Sequence, residues 1–415
     1  MKKILSNKLY MTTLISDNIS NFGDILFYLA LMSYVLQIPE TKLAVALIGI
    51  SEMIPVMLGS FLGYLADRYS KKVFGILASQ FFRVALYALL GLLLGFKPQL
   101  WIVLVAILVN LCSDMSGFFE NALFRPVSLR LVSDEERPQA MGLSSSIAAT
   151  GRIIFNSAGA FLLTWFSYQA IAFINAITFL LAALIILAIK SRLEALFIQK
   201  PLELPTKSSE KGEKHHFLQS FKEGLKELFA IPALKESMII APLLNAVGVG
   251  VSILYILILN DYPKAIIVSQ PFSIAALSIA MSLGTILGGL TVDLVFQKMT
   301  LKPIFQISIV LSILVYLAML VQNTFLVLLC IFIISVTSGA LNPKISALVY
   351  NHVAEENLGV VFNGMVTYFS LGMVIFQLIL SGLVVFLPLT YILWLLILLC
   401  GLLFLYTMTI KSVEV

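Results

Sequence analysis

Twelve stretches of this sequence stay apolar for about 20 residues or more, the length a helix needs to cross a bilayer. They run over roughly 9–36, 43–67, 73–96, 99–131, 139–166, 168–190, 233–260, 268–296, 302–321, 324–350, 357–386 and 388–410. Short breaks with turn-forming or polar residues separate them: Pro39, Lys97 and Pro98, Tyr168, Asp261 to Pro263, Gln322 and Asn323, and Pro388. Lipid satisfies no backbone hydrogen bond, so only helices or closed barrels can span it. Barrel strands alternate over about ten residues, and these runs are far longer. The composition agrees, with 60% hydrophobic and 12% charged residues against about 25% charged in a soluble domain. An all-α polytopic membrane protein of twelve helices is expected, with the lipid bilayer as its solvent.

The net charge of +5 becomes informative once its position is known. Lys2, Lys3 and Lys8 precede helix 1; Arg68, Lys71 and Lys72 follow helix 2; Arg130 and Arg137 follow helix 4. The segment after helix 6 carries Lys190, Arg192, Lys200, Lys207, Lys211, Lys214, Lys222, Lys226 and Lys235, and Lys298, Lys302 and Lys411 continue the pattern. Only Lys42, Lys97 and Lys264 fall in the intervening loops. The positive-inside rule then puts both termini and the central segment in the cytoplasm. The first apolar run is too long for a cleavable signal and holds two aspartates, so it is expected to stay. Cys112, Cys330 and Cys400 all lie within predicted helices and read as small buried hydrophobes, not disulfide partners.

The polar stretch from Ser191 divides the chain into a six-helix bundle over 1–190, a cytoplasmic linker over 191–232 and a second six-helix bundle over 233–415. Within the linker, Phe217, Phe221, Leu225, Leu228 and Phe229 share one face of an amphipathic helix. His215 and His216 sit in a charged run with no third ligand near, so they read as solvated residues, and no metal or cofactor is called for. The halves also echo each other. Pro126, Ser128, Leu131, Val132, Glu135 and Glu136 leave helix 4 much as Pro343, Ser346, Leu348, Val349, Glu355 and Glu356 leave helix 10. Gly59 and Gly63 precede Asp67 as Gly284 and Gly288 precede Asp293. Such echoes are expected of parallel repeats.

The run Gly63-Tyr64-Leu65-Ala66-Asp67-Arg68-Tyr69-Ser70-Lys71-Lys72 resembles the G-x-L-x-D-R-x-G-R-K signature of the major facilitator superfamily, with Ser70 where the second glycine usually stands. With twelve spans, a central cytoplasmic segment and a degenerate second copy ending at Asp293, the resemblance covers the whole chain. The helix 4 exit from Phe118-Phe119 through Arg125-Pro126 and Asn21-Phe22-Gly23-Asp24 in helix 1 resemble its macrolide-efflux and enterobactin-exporter branch. The resemblance implies that Gly63, Asp67, Arg68, Lys71 and Lys72 form a latch between the halves. The glycines, four residues apart, would let helices approach closely, and Asp67 could pair with the neighbouring cations. Helix 5 departs from the drug-antiporter pattern, reading Asn156-Ser157-Ala158-Gly159-Ala160 in place of a Gly-Pro kink.

An ionisable residue in a membrane helix costs roughly 2.5 to 3.5 kcal/mol on insertion scales, so each one needs a partner or a task. Here they crowd into the first half: Asp17 and Asp24 in helix 1, Glu52 in helix 2, Arg83 in helix 3, Asp114, Glu120 and Arg125 in helix 4, and Arg152 in helix 5. Asp17, Asn21 and Asp24 recur on one face of helix 1, and Asn110, Asp114, Gly117 and Asn121 on one face of helix 4. In the superfamily, helices 1, 4, 7 and 10 line a central cavity, which makes both stripes water-accessible candidates. Burial and a nearby cation act oppositely on a carboxylate's proton affinity, and the balance can bring its titration near neutral pH. Asp24, Asp114, Arg152, Glu120, Glu52 and Asp17 are therefore the candidates for proton coupling. Arg83 and Arg152 read equally well as members of a buried structural ion pair.

Asn245, Gly248, Ser252 and Tyr255 on helix 7, and Ser335, Ser338 and Asn342 on helix 10, are expected to face the same cavity. With Asn21, Asn110, Asn121, Phe27, Tyr28 and Phe118 they make a lining poor in fixed cations, which disfavours phosphorylated cargo and suits an amphipathic or lipophilic molecule. Walker A, H-E-x-x-H and G-x-S-x-G patterns are absent, so ATP drive and zinc or serine hydrolysis lack their parts and no enzyme is expected. The chain reads as a secondary active transporter, a proton-coupled exporter of a drug, macrolide or siderophore. It would work as a monomer in a bacterial plasma membrane, with protons and a small molecule as partners and no nucleic acid. A proton-coupled nutrient importer and a transport-inactive receptor or scaffold are the alternatives.

Overall fold

The computed structural model describes residues 2–133, 136–199, 226, 228–229, 231–291, 299–352 and 358–409. Among them the twelve apolar runs are twelve long helices, and no strand occurs. In the first half these are α1 (Lys8–Val35), α2 (Thr41–Arg68), α3 (Lys72–Leu93), α4 (Leu100–Leu131), α5 (Arg137–Trp165) and α6 (Tyr168–Gln199). In the second they are α7 (Ser237–Asp261), α8 (Gln270–Thr291), α9 (Leu301–Leu320), α10 (Thr324–His352), α11 (Leu358–Phe386) and α12 (Leu389–Thr409). Most ends fall within a few residues of those read from hydropathy. The clearest difference is α6, which runs to Gln199, beyond the expected 190. Its polar last turns remain helical, with Lys190 and Glu194 pairing at 3.8 Å on neighbouring turns.

Eleven of the twelve are long and apolar enough to cross a membrane. The exception, α1, is diluted by Asp17, Asn18, Asn21 and Asp24. A helix with such a stripe persists in lipid by turning it toward its neighbours. The start of α1 is also pinned: the Asn7 side chain accepts from Tyr10 N at 3.0 Å and donates to Leu131 O at 2.7 Å. Tyr10 donates from its hydroxyl to Ala140 O. Lys3 lies 2.8 Å from Glu136, and its hydrogen bond holds that exposed carboxyl below the usual range.

The chain forms two compact units, Met1–Thr206 and Lys207–Val415, which divide inside the segment expected to be the linker. Apart from 226, 228 and 229, the amphipathic stretch of that linker lies outside the described residues, as do Asp293, Glu135, Glu355 and Glu356. In the first unit α1 packs on α5 and α6, α2 on α4, and α3 on α4 and α6. In the second, α7 packs on α9 and α11, α8 on α10, and α9 on α10 and α12. Four of these pairings repeat with every helix number raised by six, so the repetition hinted at by short motifs extends to the packing.

Glycine lines close helix contacts within both units. A Cβ built on Gly63 meets nothing within 4 Å, and one on Gly59 only touches Phe118 at 3.5 Å. In the second unit, a Cβ on Gly284 would stand 2.3 Å from Phe332 O, and one on Gly288 2.0 Å from Val336 O. From the other side, a Cβ on Gly339 would stand 2.4 Å from Thr285 O. The backbones of α8 and α10 touch, and the small residues there do what such residues do between membrane helices. Gly23 plays a similar part on α1, where a Cβ would fall about 2 Å from Thr178 Oγ1 and Asn175 Oδ1 of α6. The three cysteines are free, Cys330 and Cys400 buried and Cys112 half-buried.

Candidate functional site

Helix α3 carries Gln80, Arg83 and Tyr87 along one buried stripe, with Arg83 only 4% exposed and Gln80 1%. A guanidinium this deep needs a counter-charge, because an unpaired buried ion is far too costly to keep. It finds one on α1: Arg83 Nη2 donates to Asp24 Oδ1 at 2.8 Å and Oδ2 at 2.6 Å. Arg83 Nε donates to Ser113 Oγ of α4 at 2.9 Å, and the guanidinium lies 3.8 Å above the Phe179 ring of α6. Its remaining amino group, Nη1, stands 3.9 Å from Glu120 Oε2. Gly117, one turn before Glu120, makes room: a Cβ there would lie 3.4 Å from Nη1.

Two further carboxylates join through an amide. Asn110 Nδ2 donates to Glu52 Oε1 at 3.1 Å and to Asp114 Oδ2 at 2.9 Å, while Tyr87 donates from its hydroxyl to Asn110 Oδ1 at 3.1 Å. Asp17 accepts from Asn21 Nδ2 at 3.1 Å. Tyr87 packs edge-on to Phe27 and stacks on Phe179, so aromatic rings close the inner side of the cluster. On the open side is a cleft of about 120 Å³ whose lining includes Asp17, Asn21, Asp24, Arg83, Asp114, Glu120 and Asn121. Asp24 keeps 31% of its side chain exposed and Arg83 5%, so the carboxylate is the more accessible partner.

The structure thus gathers Asp17, Asp24, Glu52, Asp114 and Glu120, with Asn21, Asn110 and Asn121, into one site. It does not bring Arg152 there: that side chain is exposed on α5, with no ion pair among the described residues. The cation amid the carboxylates is Arg83. The Gln80, Arg83 and Tyr87 stripe, at spacings of three and four, was the sequence signal for it. Phe118 lines the cleft, whereas Phe27 is buried against Tyr87.

In the second unit, Asn245 and Asn342 are exposed and Ser252 and Ser338 half-buried. Tyr255, expected on the cavity-facing stripe, is instead 1% exposed and donates to Ser273 O at 3.3 Å. The buried polar side chains described in this unit are Ser, Thr and Gln, and none is charged.

Of the signature residues, Lys72 is buried and donates from Nζ to Ala66 O at 2.6 Å, a cation at the C-terminal carbonyls of α2. In the second unit Lys344 Nζ donates to Met299 O, just before α9, at 2.6 Å. Arg68 lies over the Tyr64 ring at 4.2 Å, Lys71 is exposed, and the Asp67 side chain lies outside the described residues.

Residues 11–262 match the family model described as Major Facilitator Superfamily. Over 269 residues the chain is 29% identical to the "Uncharacterized MFS-type transporter YfiS" of Bacillus subtilis (strain 168), a match covering 63% of this chain and 57% of that relative's length. Among solved structures, a bacterial homologue of the iron transporter ferroportin aligns with TM-score 0.68 at 13% identity, over 96% of this chain and 98% of the other. The nucleoside transporter NupG aligns at 0.65 and 15%, over 97% and 98%. The peptide transporter POT in complex with sulfate aligns at 0.65 and 13%, over 96% and 94%. Likeness at such low identity establishes the fold alone.

Proposed function

The chain belongs to the major facilitator superfamily, a multi-pass membrane transporter family, and from that premise we propose that it is a proton-coupled exporter of a small amphipathic or lipophilic molecule. The observation that carries the coupling is the Arg83–Asp24 pair, set in a cleft whose four carboxylates outnumber its single guanidinium. One cation stabilises one carboxylate strongly and leaves the others in competition for protons. A site with more acids than counter-charges can exchange protons as it opens to one side and then the other, the basis of alternating access. The first unit holds this machinery. The uncharged polar residues of the second, Asn245, Ser252, Ser338 and Asn342 among them, suit cargo held by burial and hydrogen bonds. A drug, macrolide or siderophore fits that chemistry, as does the helix 4 exit motif. The loop charges support both termini in the cytoplasm, and the Bacillus subtilis relative supports a bacterial plasma membrane.

Reconstituted in proteoliposomes with an imposed pH gradient, the protein should move such cargo against the gradient of protons. Asp24→Asn is expected to abolish the response to pH and lower transport at least tenfold; Asp114→Asn should narrow the pH range over which transport runs. Transport of normal rate and pH profile in both variants would remove these residues from coupling. Everted vesicles decide direction: accumulation inside them supports export, and accumulation only in right-side-out vesicles supports import.

A further inference from the structure

Glu120 is the most enclosed acid of the cleft, 6% exposed, and its two oxygens have unequal surroundings. Oε1 accepts from Gln80 Nε2 at 2.8 Å. Oε2 is buried with no hydrogen-bond partner, and so is Oε1 of the same Gln80. Two orphaned acceptors on two groups already in contact is an arrangement proteins avoid. One proton resolves it. Placed on Glu120 Oε2, it turns one orphan into a donor and leaves Gln80 Oε1 as the acceptor, closing a ring of two hydrogen bonds between acid and amide. The charges point the same way. Arg83 spends Nη2 on both Asp24 oxygens, and its Nη1 is 3.9 Å from Glu120, beyond a hydrogen bond. The other charged groups about Glu120 are acids: Asp17 and Asp24 on α1, and Asp114 on α4 itself, which lines the same cleft. From α6 the uncharged Phe179 ring covers the Arg83 guanidinium.

We propose that Glu120 is held as the neutral acid in this conformation, with Gln80 as the positioning residue that binds its proton, and that Arg83 passes from Asp24 to Glu120 when Asp24 takes up a proton. The hand-over rests on the transporter reading above; the acid–amide pair does not. In the exchange Asp24 gains a proton from cleft water, Glu120 releases its own to cleft water, and Arg83 keeps its charge. One proton enters, one leaves, and the guanidinium always faces one carboxylate. Glu120 is then a second proton site, filled while Asp24 is empty.

Infrared difference spectroscopy of the full chain in lipid, at neutral pH and exchanged between H2O and D2O, reads protonated carboxyl groups through their C=O stretch without any transport. A band present in the wild type should vanish in Glu120→Gln. It should move to the frequency of a more weakly hydrogen-bonded acid in Gln80→Leu, and vanish in Asp24→Asn as Arg83 turns to Glu120. A wild-type spectrum that Glu120→Gln leaves unchanged overturns the proposal. Should that variant not fold, an unshifted band in Gln80→Leu overturns it equally, and a band persisting in Asp24→Asn overturns the hand-over. Proton-independent transport with all three band changes present would instead refute the coupling reading and leave the acid–amide pair standing.

Discussion

Arg83→Gln is expected to abolish transport and to destabilise the first unit by roughly 3–5 kcal/mol, the usual cost of removing one member of a buried ion pair. The guanidinium is held on every side: Asp24 on α1, Ser113 on α4, the Phe179 ring on α6 and its own α3. Glutamine replaces one of these contacts at most and leaves the Asp24 charge without its counter-ion. The decisive comparison is Arg83→Gln combined with Asp24→Asn. With both charges gone no uncompensated ion remains, so the double variant should regain most of the lost stability while staying inactive. The unfolding temperature of the purified protein, followed by the loss of its folded peak on size exclusion, checks the first claim. Proteoliposome transport checks the second. If the single variant were as stable as the wild type, or the double variant no better than the single, the pair would not hold the bundle together.

Gly288→Val is expected to cost the second unit at least about 1–3 kcal/mol, the usual range for overpacking a tight contact. The added Cβ would sit 2.0 Å from Val336 O, and backbone does not step aside as the end of a flexible side chain does. The α8 and α10 helices must then separate, which also opens the contacts at Gly284 and Gly339. Gly289 supplies the control, since a Cβ there meets nothing within 4 Å. Gly289→Val changes the same helix by the same side chain and should leave the unfolding temperature near that of the wild type. Equal losses in the two variants would mean that the effect belongs to the helix and not to the contact.

The twelve helices were legible because run length and loop charge are one-dimensional quantities, and lipid forbids most alternatives to a helix. Depth in the membrane can also be counted along the chain, and it singles out Asp24 and Asp114. What counting along the chain does not supply is azimuth. Arg83 and Arg152 both sit mid-helix in the sequence, yet one is buried among acids and the other is exposed on α5. The difference lies in their neighbours: Gln80 and Tyr87 extend a polar stripe through Arg83. Azimuth also separates the glycines: Gly63 and Gly288 occupy matching places in the two halves, and within its own unit only the second has a backbone against it among the described residues. Tyr255 was placed on a cavity face by phase alone, and a rotation of part of a turn puts it in the interior.

The pairing of Asp24 with Arg83 also bears on how the chain is made. The two residues are 59 apart, on α1 and on α3, which is translated later. Helix α1, 28 residues long, is the one of the twelve that falls short of a membrane span in apolar content, and its Asp24 is made before the arginine that neutralises it has been translated. Until α3 emerges, α1 is expected to rest at the translocon or at the membrane surface, with the arrival of Arg83 completing its integration. A ribosome stalled before residue 83 should then leave α1 extractable from the membrane by alkali.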